Sequence, residues 1–250
     1  TGGGMVQFIA GGAAIDPRVI EDYEAMGIPM IQGYGMTENS PIIAVNRDCC
    51  SKASSVGQPM PNTKVKIIDP DENGMGEIIC QGPSVMLGYY NDPEATKETI
   101  IDGWLHTGDY GYMDEEGYLY ISGRKKNVIV TKNGKNVFPE EVEFCLTESP
   151  YIQEVLVHGI EDERTGDTII KAEIFPDYEI IAEEKGDTNE DGLRELLKSV
   201  IDDINEEMPL YKRVRRFGIR KEEFSKTTTR KIKRYNAENK SSEGQEDVKC

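Results

Sequence analysis

Apolar positions follow more than one rhythm along this chain, and the changes between them divide it. Residues 5–10 form a short extended run, and Asp16-Pro17 then supplies an N-cap and a first-turn proline for a helix that reaches Met26 and stops at Gly27. Residues 28–31 offer a second strand. Strand, helix, strand is the order of a parallel-sheet unit, whose ligands sit beyond the carboxyl ends of the strands. The segment GYGMTE, residues 33–38, lies at such an end. From residue 56 to 122 the pattern becomes short and alternating, with strands predicted at 63–68, 76–81 and 118–122 and a turn at Asn73-Gly74, which reads as a small β subdomain.

After Gly123 a mixed unit is predicted: strand 128–131, a helix from Pro139, strands 154–158 and 169–175, and a helix carrying Leu193, Leu196, Leu197, Val200, Ile201 and Ile204 at helical spacing. That stripe predicts core. The acidic stretch 178–191 reads as a loop or insertion, and 236–250 as a polar, disordered tail. The expected fold is α/β and α+β in two domains, 1–123 and 124–235, followed by the tail.

Composition narrows the class. A chain of 250 residues with 37% hydrophobic and 30% charged residues is globular, and no run approaches the ~20 apolar residues of a membrane span. The expectation is a soluble, cytoplasmic protein, with peripheral contact with a membrane left open. Cys49, Cys50, Cys80, Cys145 and Cys250 lack paired metal-ligand spacing and read as reduced thiols. A net charge of −17 argues against nucleic-acid binding. Within residues 212–234, however, eleven Lys or Arg face only Glu222 and Glu223, a basic stretch on which an anion could dock.

Several segments carry candidate chemistry. In GYGMTE, Gly33 and Gly35 permit close backbone approach to a ligand, Tyr34 offers a flat ring, Thr37 a hydroxyl and Glu38 a hard oxygen of the kind Mg²⁺ prefers. Asp109 can accept from both hydroxyls of a diol, and Arg124 can donate to the same diol. His106, beside a Trp, reads as packing rather than as an acid or base, and His158 as less still.

Four segments then keep one order: QGYGMTENSP (32–41), GWLHTGDYG (103–111), GRKKN (123–127) and SKTTTRKIKRY (225–235). Together they resemble the adenylate-forming superfamily, which activates a carboxylate with ATP and passes it to a thiol. The likeness runs from about Gly11 to Tyr235 and looks most like the C-terminal part of a bacterial long-chain acyl-CoA synthetase. It implies that the end of a large nucleotide-binding domain is followed by a small mobile domain. It also implies that Gly12 and Ala13 line the adenine pocket with Gly33, Tyr34 and Gly35, that Thr37 contacts phosphate, that Glu38 binds magnesium, and that Asp109 and Arg124 hold ribose. Lys126 matches the hinge, Gly134, Lys135 and Asn136 a loop for the thiol step, and Lys231 the lysine that reaches the reacting carboxylate and α-phosphate.

The chain departs from the family pattern in places. Val130 stands where a basic residue is common, and Arg230 where glycine usually precedes the lysine. The glycine-, serine- and threonine-rich phosphate loop and most of the acyl tunnel are not in the sequence, and residue 1 is not Met. The expectation is therefore a C-terminal fragment of a fatty-acid–CoA ligase, inactive alone, whose full-length form uses ATP, Mg²⁺, CoA and a medium- or long-chain fatty acid. An acyl carrier protein ligase, a non-catalytic nucleotide-binding remnant and a peptide-synthetase adenylation domain are the rival readings.

Overall fold

The computed structural model describes residues 3–13, 15–162, 164–186, 189–228, 230–236 and 247–250. The chain divides into two compact units, Thr1–Lys126 and Asn127–Cys250.

In the first unit β1 (Phe8–Ala10), α1 (Pro17–Ala25) and β2 (Met30–Gly35) form the expected parallel unit, with Phe8 opposite Met30 and Ala10 opposite Gln32. Asp16 caps α1 by accepting from the Arg18 amide at 2.8 Å, and Gly27 ends it with φ +77°. After a single 3-10 turn at Thr37–Asn39, β3 (Ile42–Val45) returns antiparallel to β2, and β4 (Gln58–Pro59) pairs with β3. A second sheet contains β5 (Lys64–Ile68), β6 (Gly76–Gln81), β7 (Ile100–Ile101) and β8 (Trp104–Met113) in the order β5-β6-β8-β7, with β9 (Leu119–Arg124) also paired to β8. Helix α2 (Pro93–Thr99) leads into β7.

Strand β8 is absent from the sequence-based expectation, and its burial pattern explains why. Its inward positions are Leu105, Thr107, Asp109 and Gly111, so a strict period of two is written mostly in residues that do not look apolar. The sheets share core contacts: Ile43 packs with Cys80 and Leu105, Ala44 with Ile78 and Leu119, and Tyr34 leans on both groups. Those contacts bring β2 and β8 together.

The second unit opens with a hairpin of β10 (Ile129–Val130) and β11 (Asn136–Val137), followed by α3 (Pro139–Leu146). Then come β12 (Ile152–Glu161), β13 (Thr168–Pro176), α4 (Tyr178–Lys185), α5 (Glu190–Glu207), β14 (Val214–Ile219) and β15 (Val248–Lys249). The sheet order is β12-β13-β14-β15, with β13 and β14 parallel. Leu193, Leu197 and Ile201 of α5 are buried against this sheet, with Leu196, Val200 and Ile204 packed beside them.

Two expectations for this unit are corrected. Residues 178–191 are largely helical: Asp177 caps α4 through the Ile180 amide at 3.0 Å, and Asn189 caps α5 through the Gly192 amide at 2.8 Å. Acidic residues in first turns favour a helix there rather than a loop, because they meet the positive end of the helix dipole. The polar tail also gains structure, since Val248 pairs with Phe217 on β14. Residues 237–246 lie outside the described residues. Among the described residues, no helix is long and apolar enough to cross a membrane.

Candidate active site

The carboxyl ends of β1 and β2 lie side by side. A Cβ added at Gly11 would sit 3.6 Å from the Gly33 carbonyl oxygen, and Gly12 turns the chain with φ +83°. Gly12 and Ala13 are exposed there. Sequence reasoning assigned Gly33 and Gly35 to close approach by a ligand; packing within the protein by itself requires glycine at Gly35 and leaves a side chain little room at Gly33. A Cβ at Gly33 would lie 3.2 Å from the Ala44 carbonyl oxygen, and one at Gly35 only 2.1 Å from that of Pro41. The turn between β2 and β3 is held from beneath by buried Asn39, whose Nδ2 donates to the Ile42 carbonyl at 2.8 Å and whose Oδ1 accepts from Ser84 Oγ at 3.1 Å. Thr37 is exposed on this turn. Glu38 is half-buried, and its Oε1 accepts from the Tyr89 hydroxyl at 2.8 Å. That bond to a carboxylate raises the Tyr89 pKa, so Tyr89 stays a donor and fixes the Glu38 carboxylate.

Tyr34, Asp109 and Arg124 meet. The Tyr34 hydroxyl donates to Asp109 Oδ2 at 2.5 Å, and Arg124 Nη1 lies 3.0 Å from Asp109 Oδ1, the two residues being opposite one another on β8 and β9. Burial, then the Asp109 charge and the hydrogen bond, push the Tyr34 pKa up, so this phenol remains protonated. Thr107 ties the group together: its Oγ1 donates to the Ile78 carbonyl at 2.7 Å and accepts from the Asp109 amide at 3.1 Å, while its own carbonyl accepts from Arg124 at 3.1 Å. Each Asp109 oxygen thus has a partner from the protein and lone-pair capacity beyond it. The Arg124 side chain is 55% exposed, leaving guanidinium donors facing solvent. Thr107, Tyr89 and Asn39 escaped sequence reasoning. Thr107 was legible only as the residue two before Asp109, on the same face of a strand.

His106 Nδ1 lies 3.5 Å from Glu77 Oε1, while Glu77 Oε2 pairs with Lys125 at 2.7 Å. His158 Nε2 lies 3.6 Å from Glu173 Oε1 in the second unit.

The other candidate residues stand elsewhere in the chain. Lys126 is exposed and ends the first unit. Gly134, with φ +71°, sits in the turn between β10 and β11 together with Lys135, whose ammonium lies over the Tyr211 ring at 4.5 Å; Asn136 begins β11. Val130 is 56% exposed on this hairpin. Lys231 is exposed near the tip of a tight loop, where its carbonyl accepts from the Thr227 amide at 2.8 Å and its amide donates to Thr227 Oγ1 at 3.1 Å. Arg230 has φ +62°, the left-handed conformation that favours glycine. Five of the basic residues between 212 and 234 already face carboxylates inside the second unit: Lys212 with Glu141, Arg216 with Asp162, Lys221 with Glu190, Lys226 with Glu154, and Arg234 with Glu143. Much of the local positive charge is answered by the protein's own acids.

The description "AMP-binding enzyme" matches residues 2–90, and "AMP-binding enzyme C-terminal domain" matches residues 126–244. The chain belongs to the AMP-binding, adenylate-forming family. It is 40% identical over 173 residues to an indoleacetate–CoA ligase of Aromatoleum aromaticum (66% of this chain, 34% of that ligase). To a long-chain-fatty-acid–CoA ligase of Bacillus subtilis it is 41% identical over 169 residues (64% and 30%). The AMP-binding chain thus spans about a third of the length of these curated relatives. Its fold is similar to o-succinylbenzoate CoA synthetase from Bacillus subtilis solved with an acyl-adenylate, with a TM-score of 0.77, 29% identity, and coverage of 92% of this chain and 45% of that one. The same synthetase solved with ATP and magnesium ion gives 0.75, with 28% identity and coverage of 93% and 46%.

The donor set around Glu38 suits a magnesium ion held mainly by phosphates and water. Mg²⁺ needs only one or two protein carboxylates in such a setting, and Glu38 offers one that is already oriented. Among the described residues no group of three His, Cys, Asp or Glu could hold a metal by itself.

Proposed function

We propose that the chain is the C-terminal part of an ATP-dependent fatty-acid–CoA ligase, which forms an acyl-adenylate and transfers the acyl group to CoA. The Tyr34–Asp109–Arg124 group is the observation that carries this reading. It couples a flat ring to a carboxylate and a guanidinium suited to the two hydroxyls of a ribose. Tyr34 stacks on adenine beside the backbone of Gly12, Ala13, Gly33 and Gly35, while Asp109 and Arg124 orient the ribose. Thr37 contacts the phosphate, and Glu38 holds a magnesium ion, which when bound neutralises phosphate charge. Lys231 supplies a cation where negative charge builds on the carboxyl and α-phosphate oxygens. Lys126 is the hinge that exchanges Lys231 for the loop of Gly134, Lys135 and Asn136 in the thiol step.

Relatives acting on indoleacetate and on long-chain fatty acids make the acid the point to test. In the full-length enzyme, ATP–pyrophosphate exchange is expected with medium- and long-chain fatty acids, followed by thioester formation on CoA. Residues 1–250 alone should give no sustained exchange. Exchange with aromatic acids only would refute the fatty-acid substrate, adenylate without CoA thioester would refute the acceptor, and exchange by residues 1–250 alone would refute the need for upstream residues.

A further inference from the structure

The Lys231 loop is exposed at its tip but anchored at its base. Lys233 donates from its amide to the Ser225 carbonyl at 3.0 Å, and Asn236 Nδ2 donates to Ser225 Oγ at 2.9 Å, closing the loop. On the returning strand, the Arg234 guanidinium forms a two-pronged pair with Glu143 of α3, with Nη1 to Oε1 at 2.8 Å, and its Nε lies 3.6 Å from Glu140 Oε1. Arg234 Nη1 also reaches the Val157 carbonyl of β12 at 3.4 Å. Burial pushes the Glu143 carboxyl up to about 7, with Arg234 opposing that shift, and Glu143 Oε1 also takes the Val157 amide at 2.7 Å. The Arg234 and Glu143 side chains are only 19% and 16% exposed, so this is a half-buried joint and not a fully solvated ion pair.

The same joint reaches the other end of the unit. The Tyr235 hydroxyl donates to Asn127 Oδ1 at 2.8 Å, and Asn127 Nδ2 donates to Glu140 Oε1 at 2.5 Å. Asn127 is the first residue of the second unit, directly after Lys126. One amide side chain therefore connects the residue after the proposed hinge to both α3 and the base of the lysine loop. Glu140 Oε2 is buried without a hydrogen-bond partner, so Glu140 depends on Asn127 and Arg234 through its other oxygen.

The geometry points to Asn127, Glu140, Glu143, Arg234 and Tyr235 as a tie that locks the base of the Lys231 loop to the start of the second unit. This rests on the proposed roles of Lys126 and Lys231, and it makes Arg234 and Tyr235 positioning residues for the adenylation step. With the tie intact, a turn at Lys126 carries Lys231 as part of one rigid body. With the tie broken, the unit still turns but the lysine arrives in scattered positions, and near-attack geometry is lost. The thiol step uses other residues of the unit and does not sense the loss.

The test uses the full-length enzyme and assays adenylation separately from thioester formation on supplied acyl-adenylate. Tyr235→Phe removes one hydroxyl from a residue 70% exposed and threatens the fold little. It should lower adenylation kcat about fivefold, the worth of one hydrogen bond, without raising KM for ATP. Arg234→Lys keeps the charge but loses the two-pronged geometry, and should cost about tenfold or more in the same step. For both variants thioester formation should stay within about twofold of wild type. A purely structural role predicts instead a lowered melting temperature and equal loss in both half-reactions, and that result overturns the tie. So do near-normal rates for both variants when Lys231→Ala is crippled, a result that spares the underlying functional reading. If Lys231→Ala is itself near normal, that reading fails and the tie fails with it.

Discussion

The group around Asp109 and the loop around Lys231 solve opposite problems. Asp109 is buried on a strand, and Tyr34, Arg124 and Thr107 fix it before any ligand arrives. Lys231 is exposed on a loop held by backbone bonds to Thr227, and the base of that loop is tied down by the half-buried pair of Arg234 with Glu143. A group that binds the same feature throughout a reaction can be built rigidly into a sheet. A group needed for one step of two is better placed on a projection whose tip is accessible and whose base is firm. The contrast separates affinity from rate: the first region should govern nucleotide binding, the second the barrier to adenylation.

The strongest challenge is Lys231→Ala in the full-length enzyme. Loss of one preorganised cation typically costs ~10² to 10³ in rate, far beyond what a surface lysine contributes. Adenylation should collapse by that order while thioester formation from supplied acyl-adenylate persists. Lys233→Ala is the matched control and should be mild; if it proves the more damaging change, the lysine register is wrong. Next in size is Asp109→Asn, which keeps the shape but removes the charge between Tyr34 and Arg124. Hydrogen bonds to charged groups contribute about 1.5 to 3 kcal/mol, so KM for ATP should rise about 10- to 100-fold with a smaller change in kcat. A fall confined to kcat would erase the distinction between the two regions. The smallest effect is expected of Arg230→Gly. Relief of the left-handed conformation should stabilise the second unit by about 1 kcal/mol or less, read as a higher urea midpoint, and a lower midpoint would show that Arg230 carries no strain.

Much of this arrangement was legible in the sequence, but unevenly. The parallel unit of β1, α1 and β2 was plain from its punctuation, the Asp16-Pro17 start and the Gly27 stop of α1, and α5 was plain from an apolar stripe at helical spacing. Strand β8 was invisible to that logic because two of its inward residues, Thr107 and Asp109, are polar, the Thr107 hydroxyl being satisfied by the Ile78 carbonyl and the Asp109 amide, and the Asp109 carboxylate by Tyr34 and Arg124. Helix α4 buries only Ile181 among the residues it places in the core, so its acidic surface hid it. In the candidate site, motifs named Tyr34, Asp109 and Arg124, whereas Thr107, Tyr89, Asn127 and Arg234 act through partners distant in sequence. Pairings such as Arg234 with Glu143 exist only after the chain has folded.

Gly35 sets a rule for anyone who would vary this chain. With the Pro41 carbonyl oxygen 2.1 Å from where a Cβ would stand, the neck of the loop that carries Thr37 and Glu38 has no room for any other amino acid. Packing leaves room to vary exposed Thr37 and half-buried Glu38 at the tip, but not buried Asn39 or the mounting. A mutational library across residues 33–41 should therefore explore new chemistry at the tip while leaving the two backbones that meet below it as an uneditable frame.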